Sequence, residues 1–363
     1  MKILSYILAA FSVLGAVDYI LNDKFRIGKE WAKGFQLLGT MSLSMIGMIV
    51  LAPCIAHVLA PALSALPAWL PFEPSVVAGS FLANDMGGAT LALSLAGNDK
   101  IGYFNGLVVG AMMGATISFT LPLAMNVVEK RQQRFMLMGL MCGIIAIPPG
   151  CMVSGLMVGI PIGELVMDLI PLAILAALLI VGLLKAPDMC VRIFRIFGAA
   201  IRVLIVAGLV VGIVRFQTGY ELLPHCAPIE EGSSIVFNAA IVMSGAFPLI
   251  QTISMLLRRP LRRLGKMAGM NDTSALGFVS TLATNVTTFG MMKDMDDKGV
   301  VLNSAFAVSA AFTFAGHLAF TMSFQAEYTV CVIVGKLAAG VLSVIVAWLL
   351  VRRMQNRHMA QEK

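Results

Sequence analysis

One carboxylate, Asp85, lies in the middle of an apolar segment, in the string FLANDMGG (Phe81 to Gly88). A second polar string, TLATNVTTFG (Thr281 to Gly290), interrupts another apolar segment far along the chain. A carboxylate at that depth is costly unless a partner or a water-filled cavity receives it. A cationic solute is one such partner; Lys336, or backbone amides freed by Gly87 and Gly88, are internal alternatives. Asn84, Thr284, Asn285, Thr287 and Thr288 supply neutral donors and acceptors at the same level. They suit an ammonium or hydroxyl that has left its water, and equally the exposed backbone of a broken helix. Gly87 and Gly88 are read as setting backbone shape.

Superimposed at an offset of 200, Leu82 falls on Leu282, Ala83 on Ala283, Asn84 on Thr284 and Asp85 on Asn285. Two broken helices with matching polar residues usually build a binding site between related halves. His317, in FAGHLAF, sits near the middle of its span, and symmetry places it opposite Ile117 and Ser118. It reads either as a hydrogen-bonded packing residue or as a group that faces solute or handles protons. Lys336 either snorkels toward a headgroup region or pairs internally with Asp85 or Asp168, a supporting role. Asp168 stands near the start of its span, where solvation suffices. The six cysteines are scattered and suggest neither a disulfide framework nor a metal site, and no cofactor is expected. No GxSxG, HExxH or phosphate-binding loop is present, so catalysis has no residues to stand on.

The elements that must position these groups are membrane helices. Hydrophobic residues make up 59% of the chain and charged residues 12%, about half the charged share of an ordinary soluble domain. The predicted fold is an all-α polytopic membrane protein with nine spans, at 3–20, 35–60, 103–127, 135–158, 165–185, 197–216, 234–257, 302–324 and 329–351. Basic residues crowd the loops 22–33, 128–134, 185–195 and 258–266 and the tail, which the positive-inside rule places in the cytoplasm. Loops 61–74, 159–164, 217–233 and 325–328 hold glutamates and no Lys or Arg, and are expected outside. The net charge of +7 therefore reports orientation, with no nucleic-acid partner implied.

Counting crossings between oppositely placed loops forces segments 75–96 and 275–292 to turn back, one from each face. The result is an inverted repeat, with residues 1–160 and 196–352 as halves, 161–195 as joining helix and loop, and 353–363 as a cytoplasmic tail. An eleven-span arrangement is the alternative.

The strings NDMGG (Asn84 to Gly88), GAMMGATISF (Gly110 to Phe119), GMMKDMDDKG (Gly290 to Gly299), LNSAFAVSAAF (Leu302 to Phe312) and VGKLAAG (Val334 to Gly340) resemble the ethanolamine permease family of bacterial ethanolamine-utilisation operons. The likeness keeps segment order over nearly the whole chain. It implies a multi-pass inner-membrane permease that brings in ethanolamine for a cobalamin-dependent ammonia-lyase, with the protonated amine on Asp85 and the alcohol on Asn285, Thr284 and Thr288. Co-transport of H⁺ or Na⁺ and a homo-oligomer are compatible with that reading; so is another small amine as solute, or a non-transporting membrane partner. Two positions depart from the family pattern: Gly316 stands where an acidic residue precedes the histidine, and Ala115 where proline is usual.

Overall fold

In the computed structural model, residues 2–64, 72–267 and 269–361 are described, and among them every regular element is a helix. Nine helices frame the molecule: α1 (Lys2–Ile20), α2 (Leu38–Ser64), α3 (Lys130–Val158), α4 (Ile162–Lys185), α5 (Pro187–Thr218), α6 (Ile229–Met267), α7 (Asp297–Ala310), α8 (Gly316–Phe324) and α9 (Thr329–Gln361). Eight stretches are long and apolar enough to cross a membrane among the described residues. The eighth of the predicted spans, 302–324, is instead two half-helices, α7 and α8, separated by residues 311–315. Stretch 103–127 is continuous but unusual: Phe104–Gly114 and Thr116–Thr120 are π-helix, a form seen mostly as single turns at functional sites.

Between these helices two shorter segments turn back on themselves. In the first hairpin, Ser75–Phe81 descends along the π-helix and Gly88–Leu95 returns beside it. The contacts fix this path. Ser75 meets Asn105 at one level, a Cβ on Gly114 would strike Leu82 at the other, and Gly106 and Gly102 then face Ala89 and Leu93 on the way back. In the second hairpin, Asp272–Ala283 advances and Asn285–Met291 returns. Here Asn303 of α7 bonds to the Ser274 carbonyl near the start, the 312–314 backbone meets Thr281 and Leu282 at the tip, and Gln132 of α3 receives the returning end.

The hairpins enter from opposite ends of the bundle. Lys100 reaches the Gly159 carbonyl, and the Tyr328 hydroxyl reaches the Lys100 carbonyl, which gathers the ends carrying Glu73, Glu164 and Glu327 around the base of the first hairpin. The second is rooted at the other end, where the Asp296 carboxylate ties its first turn and Gln132 its last. Gln132 is 1% exposed, and its amide donates to Met292 O at 2.5 Å and Met295 O at 3.4 Å. Met292 O also accepts from Met295 N, so Gln132→Ala removes the side-chain tie without stripping that carbonyl of every partner, an expected loss of about 1 kcal/mol that thermal unfolding in detergent will read as a lowered midpoint.

Glycines allow the long helices to interlock. A Cβ on Gly47 would strike Ile205 O of α5, and one on Gly245 of α6 would strike Leu8 O of α1. Small residues at such crossings let backbones approach where lipid supplies no hydrophobic drive between helices. Asp18, at the end of α1, is buried and accepts backbone N–H bonds from Phe25, Ile27 and Gly28, fixing the connection to the short helix Gly28–Gln36 that precedes α2.

Candidate functional site

The first hairpin breaks where paired glycines weaken the helix. The helix ends at Phe81, Leu82 is extended, Asn84–Met86 forms one tight turn, and Gly87 takes φ +92°, a conformation open chiefly to glycine. Gly88 N donates to Ala83 O at 2.9 Å, and Ala83 N to the Ser118 hydroxyl at 3.3 Å. At this tip Asn84 is wholly buried, and neither amide atom has a partner among the described residues. Buried carboxamides without partners are rare. Asp85 is half-buried beside Gly316, whose hypothetical Cβ would lie 3.8 Å from Asp85 Oδ2.

The second tip breaks at Thr284, which is extended and accepts from Val286 N through its hydroxyl. Asn285 is buried; its Nδ2 donates to Thr120 Oγ1 at 3.0 Å, while its Oδ1 lacks a partner among the described residues. Thr288 is occupied in closing the hairpin, bonded to the Thr281 hydroxyl at 2.9 Å and donating to Gly277 O at 3.3 Å. Thr287 is exposed. With Thr284 it lines a cavity of about 360 Å³ that also touches Arg26, Glu30 and Lys33, at the basic end of the bundle.

Both tips meet the same pair of elements, π-helix 116–120 and the break between α7 and α8. Phe312 N donates to Thr281 O at 3.2 Å and Phe314 N to Leu282 O at 3.0 Å. Phe312 itself sits at φ +61°, an outlier for an aromatic residue, held by those bonds. Strained backbone of this kind clusters at functional sites. His317 opens α8, is 3% exposed, and packs its ring 5.1 Å from that of Phe312.

Lys336 does not snorkel. It is 1% exposed; its Nζ donates to Ala111 O of the π-helix at 2.6 Å and lies 3.1 Å from His317 Nδ1. An ammonium has no lone pair, so a charged Lys336 requires an accepting Nδ1 and a proton on Nε2. Asp85 attracts this charge electrostatically without a direct ion pair. Asp168 also corrects its expectation of simple solvation. It is 3% exposed, its Oδ1 accepts from Asn105 Nδ2 at 3.2 Å, and it lines a second cavity of about 610 Å³ with Glu73 and Glu164.

Asp85, His317 and Lys336 therefore share one neighbourhood, with Asn84 packed against Gly110 next to Ala111. Thr284, Asn285, Thr287 and Thr288 belong to the other tip. The sequence reading named Ser118 only as the symmetry counterpart of His317, gave it no role at the first tip, and missed Thr120, Phe312 and the Ala111 carbonyl. The hydroxyls in GATISFT (Gly114 to Thr120), within an apolar span, were the available signal for Ser118 and Thr120; a carbonyl and a backbone outlier leave none.

A family model described as "Ethanolamine utilisation protein, EutH" matches residues 1–350. The chain belongs to this family. A Listeria monocytogenes protein named "Probable ethanolamine permease EutH" is 39% identical over 100% of this chain and 97% of its own length. An Escherichia coli protein of the same name is 36% identical over 96% of this chain and 95% of its own. A Bacillus subtilis relative, "Uncharacterized protein YxeR", is 36% identical over 94% and 92%. No solved structure matches. As a family member the chain is a polytopic membrane protein, and any side chain at position 316 would begin 3.8 Å from Asp85 Oδ2.

Proposed function

We propose that the chain imports ethanolamine, as its ammonium, across the bacterial inner membrane by alternating access around the two hairpin tips. The observation that carries the reading is the convergence of two hairpins, entering from opposite ends, on one strained, broken segment, with the single half-buried carboxylate of the first tip, Asp85, set beside it. Irregular backbone at membrane depth is tolerated where it lines a cavity, and half-helix ends there commonly coordinate solutes. Ethanolamine is protonated near neutral pH, as amines are.

Asp85 receives the ammonium, with His317 beside it. Asn84, Asn285 and Thr284 offer the partners for the hydroxyl, and two of them hold amide atoms still unpaired among the described residues. Gly87, Gly88, Thr287, Thr288 and Lys336 shape or support the site. The halves 1–160 and 196–352 form an inverted repeat; the matched crossings of Gly47 with Ile205 and Gly245 with Leu8 support it. The C-terminus is cytoplasmic, as the basic loops favour. The relatives named probable ethanolamine permeases supply the substrate.

The test is uptake of radiolabelled ethanolamine into proteoliposomes holding the purified full chain. Saturable uptake above that of empty vesicles, displaced by unlabelled ethanolamine more effectively than by choline, is expected. Rates equal to those of empty vesicles overturn the transport reading, and preferential displacement by another amine moves it to a different substrate.

A further inference from the structure

Lys336 carries a primary alkylammonium, the same chemical group as the head of the proposed solute, and holds it within the field of the same carboxylate. Its surroundings amount to an ammonium cradle: the Ala111 carbonyl at 2.6 Å, the His317 Nδ1 lone pair at 3.1 Å, and Asp85 close by. The π-helix supplies that carbonyl, and the break before α8 lies next to the imidazole, so both unusual backbones meet at this one nitrogen.

We propose, resting on the ethanolamine reading above, that Lys336 is a tethered competitor for the cation site, and that binding of the solute ammonium expels one proton from it. Two ammonium groups sharing one carboxylate in a buried site repel each other strongly. The repulsion is relieved when Lys336 changes from ammonium to neutral amine. The proton leaves Nζ along the existing hydrogen bond to His317 Nδ1, the imidazolium formed releases its Nε2 proton to water, and the ring returns neutral with its tautomer exchanged. One monovalent cation has entered and one proton has left, so the charge of the site is unchanged.

Few other groups could supply that proton. Around Lys336, α3 presents Cys151, which interacts electrostatically with both Lys336 and Asp168 of α4; α8 presents His317; the first hairpin presents Asp85. The π-helix faces it with the Ala111 carbonyl, and the charged residues of α7, Asp297 and Lys298, lie in that helix's first turn, at the basic end. Of the near groups, Lys336 is the one whose loss of a proton lowers the positive charge beside an arriving cation while leaving Asp85 charged to hold it.

Calorimetric titration of ethanolamine into the purified full chain in nanodiscs, at several pH values in buffers of different protonation enthalpy, counts the protons released. Wild type is expected to release about one proton per amine bound at pH 6, and its apparent affinity to rise by up to tenfold per pH unit. Lys336→Gln should bind with no release and a flat pH dependence. Lys336→Arg keeps the charge but holds its proton, so it should bind weakly at every pH. Absence of release in wild type overturns the proposal. So does release that persists in Lys336→Gln, which would mean that the proton comes from the solute or from Asp85 ionising as the amine arrives, or wild-type behaviour in Lys336→Arg. Absence of binding by wild type overturns the substrate reading and this proposal with it.

Discussion

Asp85→Asn is expected to lower saturable ethanolamine uptake by about 30-fold or more while the protein still inserts. The substitution keeps the shape of the tip and removes its charge. Truncating one partner of a desolvated charge pair costs about 2–5 kcal/mol, and each 1.4 kcal/mol is a factor of about ten. A second effect follows from the geometry: Lys336, 1% exposed, loses its nearby counter-charge, so the single variant should also unfold more readily. The two consequences are separable. In Asp85→Asn with Lys336→Gln no buried charge is left without its counterpart, and thermal stability should recover toward wild type. If Asp85 holds the solute, uptake stays lost in the double variant. If its task is only to neutralise Lys336, uptake returns with stability. Unfolding midpoints and initial uptake rates of the four proteins decide between these roles, and coupling is expected because the residues act on each other.

That experiment is needed because the sequence presented Asp85 and Lys336 as neighbours in only one of several pairings. What it made legible were features with local causes. Paired glycines beside a carboxylate announced the first break, and the matching LATN against LAND announced the second. The loop charges separated the two ends. What stayed hidden depends on bonds between distant segments. Stretch 302–324 is apolar and carries no proline, and it breaks because Thr281 and Leu282 carbonyls capture the Phe312 and Phe314 amides. The π-helix likewise has no compositional mark; its glycines suggested close packing, which is what they provide, but not a change of helix type. Asp168 was misplaced toward solvent, and Lys336 left between the headgroup region and the interior, for one reason: depth along a helix does not tell which way a side chain points. Lys336 turns to the Ala111 carbonyl and Asp168 to Asn105, and neither partner could be named before the helices were packed.

The packing of the first hairpin on the π-helix is tight enough to test the site without touching any of its polar groups. Gly114 lies against the tip: a Cβ there would stand 2.5 Å from the Leu82 carbonyl carbon and 2.6 Å from Gly79 O, both backbone atoms that no rotamer change can move. Gly114→Ala must therefore push the tip away from the π-helix. Overpacking of this kind costs about 1–3 kcal/mol, which a large helical bundle can absorb and remain inserted. The displacement is carried directly to Asn84 and Asp85, two and three residues beyond Leu82, and an error of about 1 Å in a positioned group can cost about 100-fold in rate. Uptake is thus expected to fall on that scale with expression and unfolding midpoint only modestly changed. Gly39→Ala is the matched control, since nothing lies within 4 Å of its added Cβ, and it should transport as wild type does. If Gly114→Ala transports normally, the hairpin tip is not where the solute is held, whatever its carboxylate does for Lys336.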